Sequence, residues 1–335
     1  MPPTRPRRSA RRRGRALAAG IAGVLAIGGI AALSGFHLPL SAVDAPGSGA
    51  SGEVPVGEVV GIRTFEPPAG IRVEADVEFG AQPDGTLLTL DLCRPAIDAA
   101  EPRAAVVAIH GGSWTRGAKG NADWRRVCEW LASEGFVAAS VDYRLVPNAT
   151  FPAQLDDVSL AVEWLRGEAA ALDIDPARIG VFGGSAGGQL AALLGTTGEG
   201  PTDAGSRVAA VVELSGPVGL AVEELDADGA SGWLRSIVDA YLGCEEPAGD
   251  CGGLREAASP GAQADASDPP FFIGHAEDEI VPLGQSRRLA AQLAAAGLDV
   301  ELAVVPGGEH SIGILDAPMR ARVAAFLHER LAPAA

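Results

Sequence analysis

Residues 178–195, RIGVFGGSAGGQLAALLG, decide the fold of this chain. Their first part, residues 178–182, is a short apolar run that predicts a buried strand, and residues 185–194 predict a helix that begins directly after it. Between them, GGSAG at 183–187 fits the pattern G-x-S-x-G. A serine in so tight a strand-to-helix turn requires very small neighbours and projects from the end of its strand, as in a nucleophile elbow.

On both sides of this turn, short apolar runs alternate with longer segments of helical periodicity. The predicted strands are residues 71–79, 87–93, 104–109, 136–141, 178–182, 208–214, 270–273 and 300–305. The predicted helices are residues 121–133, 152–171, 185–194, 286–296 and 319–331. This alternation predicts an α/β fold with a mostly parallel central sheet and helices on both faces. Its ligand site should lie at the carboxyl ends of the strands.

Residues 218–268 interrupt this rhythm after the sixth predicted strand. They are rich in Asp, Glu, Gly and Ala around one apolar stretch at 233–242. A connection of this length is long for a loop. It is either a small cap over the site or a surface excursion without a role.

Composition and charge limit the classes of function. The chain has 335 residues, of which 47% are hydrophobic, so it is globular rather than disordered. Its net charge is −17, and seven arginines precede the first acidic residue, Asp44. The remainder carries 19 basic and 43 acidic residues, a net charge of −24. A body this acidic repels phosphate backbones, which argues against a nucleic-acid partner.

The N-terminus has the organisation of an export or anchoring signal. A basic segment, residues 1–15, precedes 21 uncharged residues, 16–36, which are long enough to span a membrane. By the positive-inside rule the arginines stay in the cytoplasm and the rest of the chain lies outside. We therefore expect residues 16–36 to be a single-pass membrane anchor or a cleaved signal peptide. Residues 37–70 read as a linker, and residues 71–335 as the folded domain that carries the candidate site.

The four cysteines are too few for a disulfide scaffold. Outside the cytoplasm, the closely spaced Cys244 and Cys251 are expected to form a disulfide. Cys93 lies on a predicted strand and Cys128 on a predicted helix, and we expect both to be buried thiols, with a bridge between them as the alternative.

A second glycine-rich segment, HGGSW at 110–114, follows the predicted strand 104–109. Two glycines after the histidine let backbone N–H groups turn towards the site, as in an oxyanion loop. The expected oxyanion donors are the N–H groups of Gly111, Gly112 and Ala186. His110 is expected to organise this loop rather than to act as a base. Trp114 is either a substrate-binding wall of the pocket or part of the packing.

A base and an acid should follow the serine along the chain, in the order Ser, acid, His. His310 lies in the loop PGGEHS directly after predicted strand 300–305, so it can reach Ser185; His275 is the weaker candidate. The loop GHAEDE at 274–279 offers three carboxylates. We expect Asp278, which precedes the predicted helix start Ile280-Val281-Pro282, to orient His310, and Glu277 and Glu279 to be solvated. The predicted catalytic residues are thus Ser185, Asp278 and His310.

The motifs HGGSW, VDYRL at 141–145, FPAQLDDV at 151–158, GGSAGG, DEIVP and GGEH resemble the α/β-hydrolase superfamily. Within it, the chain resembles hormone-sensitive-lipase-like esterases and, more closely, the bacterial feruloyl/acetyl-xylan-esterase-like group. Lipase-like members usually have Asp where this chain has Gly184, and a third loop glycine where it has Ser113. Both departures favour the xylan-esterase-like branch.

This resemblance implies a serine carboxylesterase that cleaves short-chain acyl esters, among them carbohydrate acetyl esters, through an acyl-enzyme. Such chemistry requires no cofactor and no metal, and the sequence contains no CxxC or HExxH motif. The expected partner is a small-molecule ester, together with the membrane if residues 16–36 are retained. The alternatives are an amidase or peptidase with the same triad, or a non-catalytic surface binding protein on this fold.

Overall fold

The computed structural model describes residues 60–82, 85–97, 99–244, 251 and 253–333. The chain divides into two units, residues 1–52 and 53–335, and all described residues belong to the second. The predicted basic segment, the anchor or signal segment and most of the predicted linker therefore lie outside the described residues. None of the helices within the described ranges is long and apolar enough to cross a membrane.

The central element is an eight-stranded sheet with the order β1-β2-β4-β3-β5-β6-β7-β8. The strands are β1 (Ile71–Ala81), β2 (Leu87–Pro95), β3 (Arg103–Ile109), β4 (Val137–Val141), β5 (Ile174–Gly184), β6 (Ala210–Leu214), β7 (Phe271–Ala276) and β8 (Val300–Val305). β2 pairs antiparallel with β1 and β4, and every other pair is parallel. The predicted α/β fold with a mostly parallel sheet is confirmed.

Helices connect the parallel strands, as a parallel sheet requires. They are α1 (Ala122–Ser133), α2 (Ala153–Gly167), α3 (Ala169–Leu172), α4 (Ala186–Gly195), α5 (Val222–Ala227), α6 (Gly232–Leu242), α7 (Leu254–Ala257), α8 (Pro260–Gln263), α9 (Leu283–Ala295) and α10 (Ala317–Arg330). The single helix predicted at 152–171 is divided in two, because the chain leaves helical geometry at Glu168, directly after Gly167. Glycine is among the weakest helix formers.

The sheet is buried on both faces, which explains the uninterrupted apolar runs of its central strands. In β3, Ala105, Val107 and Ile109 belong to one hydrophobic cluster. The intervening Ala104, Val106 and Ala108 belong to the other. Since side chains alternate across a strand, these two clusters are the cores above and below the sheet.

The folded domain begins before residue 71, where the predicted linker ended. A 3-10 helix at Ile62–Thr64 buries Ile62 completely. The N–H of Gly61 donates to the Gly313 carbonyl at 2.8 Å, and a Cβ at position 61 would lie 2.3 Å from that oxygen. The boundary predicted at residue 70 is therefore wrong, since residues 61–64 are part of the packing against the C-terminal region.

Two disulfides are present. Cys244 and Cys251 are bridged as expected, with their Cα atoms 5.8 Å apart. The expectation of two free thiols at Cys93 and Cys128 is wrong, because these residues are also bridged, across a Cα separation of 5.7 Å. The helix α1 packs against β2 and brings the two side chains together, a tertiary contact that neither local sequence reveals.

The segment 218–268 lies between β6 and β7, after the sixth strand as predicted, and contains α5 to α8. It packs tightly onto the domain, since Leu234, Val238 and Tyr241 of α6 are fully buried. The Tyr241 ring stacks on the Trp114 ring with their centroids 4.1 Å apart. The segment is thus an integral part of the fold beside the carboxyl ends of the strands.

Candidate active site

Ser185 occupies the sharp turn between β5 and α4. It has φ +57° and ψ −126°, a conformation that non-glycine residues rarely adopt. Holding a serine there costs about 1–3 kcal/mol, which the surrounding structure must offset. The Ser185 N–H donates to the Leu214 carbonyl at 2.8 Å, which fixes the turn to the end of β6.

The glycines around Ser185 are required by close backbone approach. A Cβ at Gly183 would lie 2.0 Å from the Gly187 oxygen, and a Cβ at Gly187 would lie 2.1 Å from the Ile109 oxygen. At Gly184, where the sequence departs from the lipase-like pattern, a Cβ would lie 2.1 Å from Ser311 Oγ. A larger residue at position 184 therefore requires the Ser311 hydroxyl to rotate away from it.

The predicted oxyanion loop passes directly over this turn. A Cβ at Gly111 would lie 2.7 Å from the Gly184 oxygen and 3.0 Å from Ser185 Cβ. Gly112 has φ +131°, which favours glycine. Among the described residues, no group accepts a hydrogen bond from the N–H of Gly111, Gly112 or Ala186. These three donors are available to an oxyanion, and the Ala186 N–H adds the favourable potential of a helix N-terminus.

His110 is held behind the oxyanion loop, as expected of a loop organiser. Its ring is almost fully buried and stacks on Tyr143, with ring centroids 4.4 Å apart. The Tyr143 hydroxyl donates to the His110 carbonyl at 2.9 Å. Burial lowers the pKa of His110 and outweighs the opposing effects of the Gly111 carbonyl and the Asp142 carboxylate. A neutral, buried ring that supports the loop is consistent with these contacts.

His310 follows β8 and lines the same cavity as Ser185. Only 8% of its surface is exposed. The next residue, Ser311, has φ +58°, and its N–H donates to Ser215 Oγ at 3.0 Å, which fixes the loop to the end of β6. His310 Nδ1 is hydrogen-bonded to Glu279 Oε2. This leaves Nε2 as the ring nitrogen for proton transfer.

The carboxylate on His310 is therefore Glu279 and not Asp278, so the acid was predicted one residue too early. Asp278 is exposed, and its N–H donates to the Gly307 carbonyl at 3.0 Å in the turn that ends β7. That turn directs the side chain of Glu279 inwards, where it is completely buried. Residues 277–279 are all acidic. The backbone of this turn determines which of their side chains reaches His310.

The surroundings of Glu279 stabilise its ionised form. Burial by itself would raise the pKa of this carboxyl, but contacts with His275 and His310 outweigh burial and lower the pKa to about 2. Glu279 is thus ionised at neutral pH. His275, the weaker candidate base, is fully buried and is absent from the cavity lining.

Ser185, His310 and the oxyanion loop line a common cavity of about 260 Å³. Its described lining consists of Gly111, Gly112, Ser113, Arg116, Gly117, Asn121, Asp123, Trp124, Ser185, Trp233, Ile280, His310, Ser311 and Ile312. Sequence reasoning missed both tryptophans in this lining. Trp233 comes from the segment 218–268, so this segment forms part of the cavity wall.

Trp114 is not among the described residues that line this cavity, so of its two expected roles the structure favours packing over a substrate-binding wall. Its side chain is fully buried, and its Nε1–H donates to Gln189 Oε1 at 3.2 Å. Its ring packs instead against Tyr241 of α6. Within the described ranges, no group of His, Cys, Asp and Glu side chains is arranged to hold a metal ion.

The chain is similar in sequence to a known protein family and to curated esterases. The BD-FAE family model matches residues 90–293. The esterase LipQ of Mycobacterium tuberculosis is 32% identical over 260 residues, which are 75% of this chain and 60% of the relative. The carboxylesterase NlhH of the same species is 35% identical over 217 residues, 61% of this chain and 65% of the relative. The chain thus spans 60–65% of the length of these curated relatives.

Two solved structures have the same fold and are similar in sequence. A truncated carbohydrate esterase from gut microbiota matches with a TM-score of 0.63 and 25% identity, over 78% of this chain and 96% of that chain. An acetyl ester-xyloside bifunctional hydrolase from Caldicellulosiruptor lactoaceticus matches with a TM-score of 0.60 and 26% identity, over 76% of this chain and 92% of that chain. The eight-stranded sheet with its elbow turn is therefore an α/β-hydrolase fold.

Proposed function

Because the chain belongs to the BD-FAE family, we propose that it is a carboxylic ester hydrolase whose triad is Ser185, Glu279 and His310. One observation carries the proposal. A serine with left-handed backbone geometry and a histidine hydrogen-bonded to a buried carboxylate line one cavity. These are the three parts that nucleophilic acyl transfer requires.

In the proposed reaction, His310 Nε2 removes the proton from Ser185 Oγ as this oxygen attacks the ester carbonyl carbon. The N–H groups of Gly111, Gly112 and Ala186 stabilise the oxyanion that forms. His310 then gives the proton to the departing alkoxide, and an acyl-serine remains. Water, deprotonated by His310, attacks the acyl carbon, and the acid product leaves with Ser185 regenerated. Glu279 holds the imidazole and stabilises its cationic form.

The cavity favours a small acyl group. Its volume of about 260 Å³ lies below the usual range for small-molecule sites, about 300–1,000 Å³. Trp124 and Trp233 provide flat aromatic surfaces, and Asn121 and Asp123 provide polar groups on the same lining. This combination suits the alcohol part of an acetylated carbohydrate. The similarity to a carbohydrate esterase and an acetyl ester-xyloside hydrolase supports the same substrate class.

The test is an acyl-chain profile of the full chain, purified in a mild nonionic detergent. The substrates are p-nitrophenyl acetate, butyrate, octanoate and palmitate, acetylated xylan, and a matched p-nitroanilide. We expect acetate and butyrate to be cleaved fastest, and Ser185→Ala to abolish turnover. Preferential cleavage of the anilide would indicate an amidase. Equal inertness of wild type and variant on every substrate would indicate a binding protein and overturn the proposal.

We also propose that the domain acts outside the cytoplasm, retained by residues 16–36 or released from them. The two disulfides support this location, because structural disulfides are rare in the reducing cytosol. The arginine-rich start followed by 21 uncharged residues supports it independently. The test uses a C-terminal epitope tag and cells whose outer envelope is permeabilised while the inner membrane stays intact. We expect added protease to digest the tag, or the tagged domain to be found in the medium. A fully protected tag would contradict this location.

A further inference from the structure

Beneath the catalytic residues lies a cluster of buried titratable side chains, which we call the acid–imidazole cluster: Glu213, His275, Glu279 and His310. Glu213 is on β6 and pairs in register with Ile273 of β7, two residues before His275. The side chains of Glu213, His275 and Glu279 are completely buried. Of these three, the proposed reaction uses only Glu279.

Both ring nitrogens of His275 have polar neighbours. Its Nε2 lies 2.9 Å from the Val281 carbonyl and 2.8 Å from Glu279 Oε1, with its N–H better aligned towards Val281. Two acceptors on one nitrogen mean that Nε2 carries a hydrogen whether the ring is neutral or cationic. Its Nδ1 lies 2.7 Å from Ser286 Oγ on α9, a hydroxyl that can either donate or accept. His275 can therefore change its charge without changing its contacts.

Glu279 thus has an imidazole at each of its oxygens. His310 Nδ1 contacts Oε2, and His275 Nε2 is the nearest donor to Oε1, which has no well-aligned hydrogen bond among the described residues. Burial lowers the pKa of His275, but its contact with Glu279, helped by the Val281 carbonyl, raises the pKa above its ordinary value. The negative charge of one carboxylate thus interacts with two imidazole rings, one at each oxygen.

Glu213 completes the surroundings of His275 on the β6 side. Its Oε1 accepts the Gly216 N–H, and its Oε2 has no partner among the described residues. Burial raises the pKa of Glu213 to about 8, although the Gly216 N–H and His275 oppose this effect. At pH 7 the carboxyl is therefore mostly neutral and leaves the carboxylate of Glu279 as the anion that His275 faces. The side chain that α9 directs at His275 is the uncharged Ser286.

We propose that His275 is a positioning residue: it holds the second oxygen of Glu279, shares the charge of this carboxylate, and so sets how strongly His310 attracts a proton. This inference rests on the proposed esterase function. A cationic His275 weakens the pull of Glu279 on the proton of His310, and a neutral donor in its place leaves that pull undivided. Without any donor at position 275, Oε1 loses its nearest polar contact, and only the contacts of Oε2 with His310 Nδ1 and the Val281 N–H hold the carboxylate.

The first test compares His275→Gln and His275→Leu with a matched control, His328→Gln, which alters an exposed histidine of α10. The measurements are the pH profile of kcat/KM for p-nitrophenyl acetate from pH 5 to 9, kcat at the plateau, and the folded fraction by circular dichroism. His275→Gln keeps an N–H donor but removes the titratable charge. We expect it to keep kcat within about 3-fold and to move the acid limb upward by about 1 pH unit.

His275→Leu removes both donor and charge, so kcat should fall about 10-fold or more while KM changes little. The control should match wild type in every measurement. If the acid limb of His275→Gln stays at the wild-type pH, or His275→Leu retains wild-type kcat, the proposal is refuted. Activity that falls only in proportion to the folded fraction, with an unmoved acid limb, refutes it as well, because a purely structural role predicts that result.

A second test does not depend on turnover or on a His275 variant. The imidazole nitrogens of Ser185→Ala, labelled with 15N-histidine, are followed by NMR from pH 5 to 9; the chain has five histidines. Shared charge predicts that the His310 signals change at the pH at which His275 titrates. If the His310 signals do not respond to the titration of His275, the proposal is overturned. Absence of esterase activity in wild type would instead refute the proposed function, and this measurement would still decide the role of His275.

Discussion

The buried carboxyl of Glu213 leads to a prediction about stability. Its pKa is raised to about 8, against 4.5 for the unperturbed side chain, chiefly by burial. Between these two pH values the folded state holds a proton that the unfolded state has released. Stability therefore falls as pH rises from 4.5 to 8, because the folded state binds more protons. At about 1.4 kcal/mol per pH unit, the accumulated loss is about 5 kcal/mol.

Glu213→Gln removes this titration while keeping the shape of the neutral carboxyl. The amide oxygen can accept the Gly216 N–H that Glu213 Oε1 accepts in the native protein. We expect the variant and wild type to have nearly equal free energies of unfolding at pH 4.5–5. The variant should become progressively more stable relative to wild type, by about 5 kcal/mol at pH 8 and above.

The assay is urea unfolding of the full chain in mild detergent, followed by circular dichroism at pH 5, 6, 7 and 8 with both disulfides intact. The matched control is Glu277→Gln, which neutralises an exposed glutamate in the turn after β7. Its difference from wild type should stay nearly constant with pH. If the difference for Glu213→Gln is also independent of pH, Glu213 is not held protonated in the folded protein and the reasoning fails.

Three further predictions follow from contacts in the structure. Glu279→Gln should lower kcat/KM about 1,000-fold, because His310 loses its ionised partner, whereas Asp278→Asn should stay within about 2-fold; the reverse order would restore the aspartate as the orienting acid. Gly111→Ala should lower kcat about 100-fold with the fold intact, because its Cβ would lie 2.7 Å from a backbone oxygen of the elbow and displace an oxyanion donor; wild-type kcat in a folded variant would contradict this role. Replacing Cys93 and Cys128 together by Ala should reduce the free energy of unfolding by about 4 kcal/mol, since their bridge closes a loop between residues 35 apart; an unchanged urea midpoint would show that the bridge adds no stability.

Much of the architecture was readable from local patterns. Apolar runs predicted every strand of the sheet, and helical periodicity predicted α1, α2, α4, α9 and α10, because both patterns reflect which faces are buried. No helix was predicted within residues 218–268, where the structure has α5 to α8. The other deviations occur at ends and breaks. The strand predicted at 178–182 extends over Ile174–Gly184, since pairing with β3 continues beyond the apolar run. Element ends depend on such neighbours more than on local composition.

The candidate active site was likewise predictable only in part. The sequence by itself determined the positions of Ser185 and His310, because a glycine-flanked turn and a loop after a strand are local features with a chemical purpose. It did not determine which carboxylate orients His310, because only the backbone of one turn decides that the side chain of Glu279 points inwards and that of Asp278 outwards. Nor could it reveal that Trp233 lines the cavity.

The tertiary structure alone decided those points, together with the Cys93–Cys128 bridge and the packing of His275 and Glu213 around Glu279. Each depends on contacts between segments far apart in the chain. Local patterns record which residues are buried and where the backbone turns. They do not record which buried groups meet, because that is fixed only when the strands take their order in the sheet.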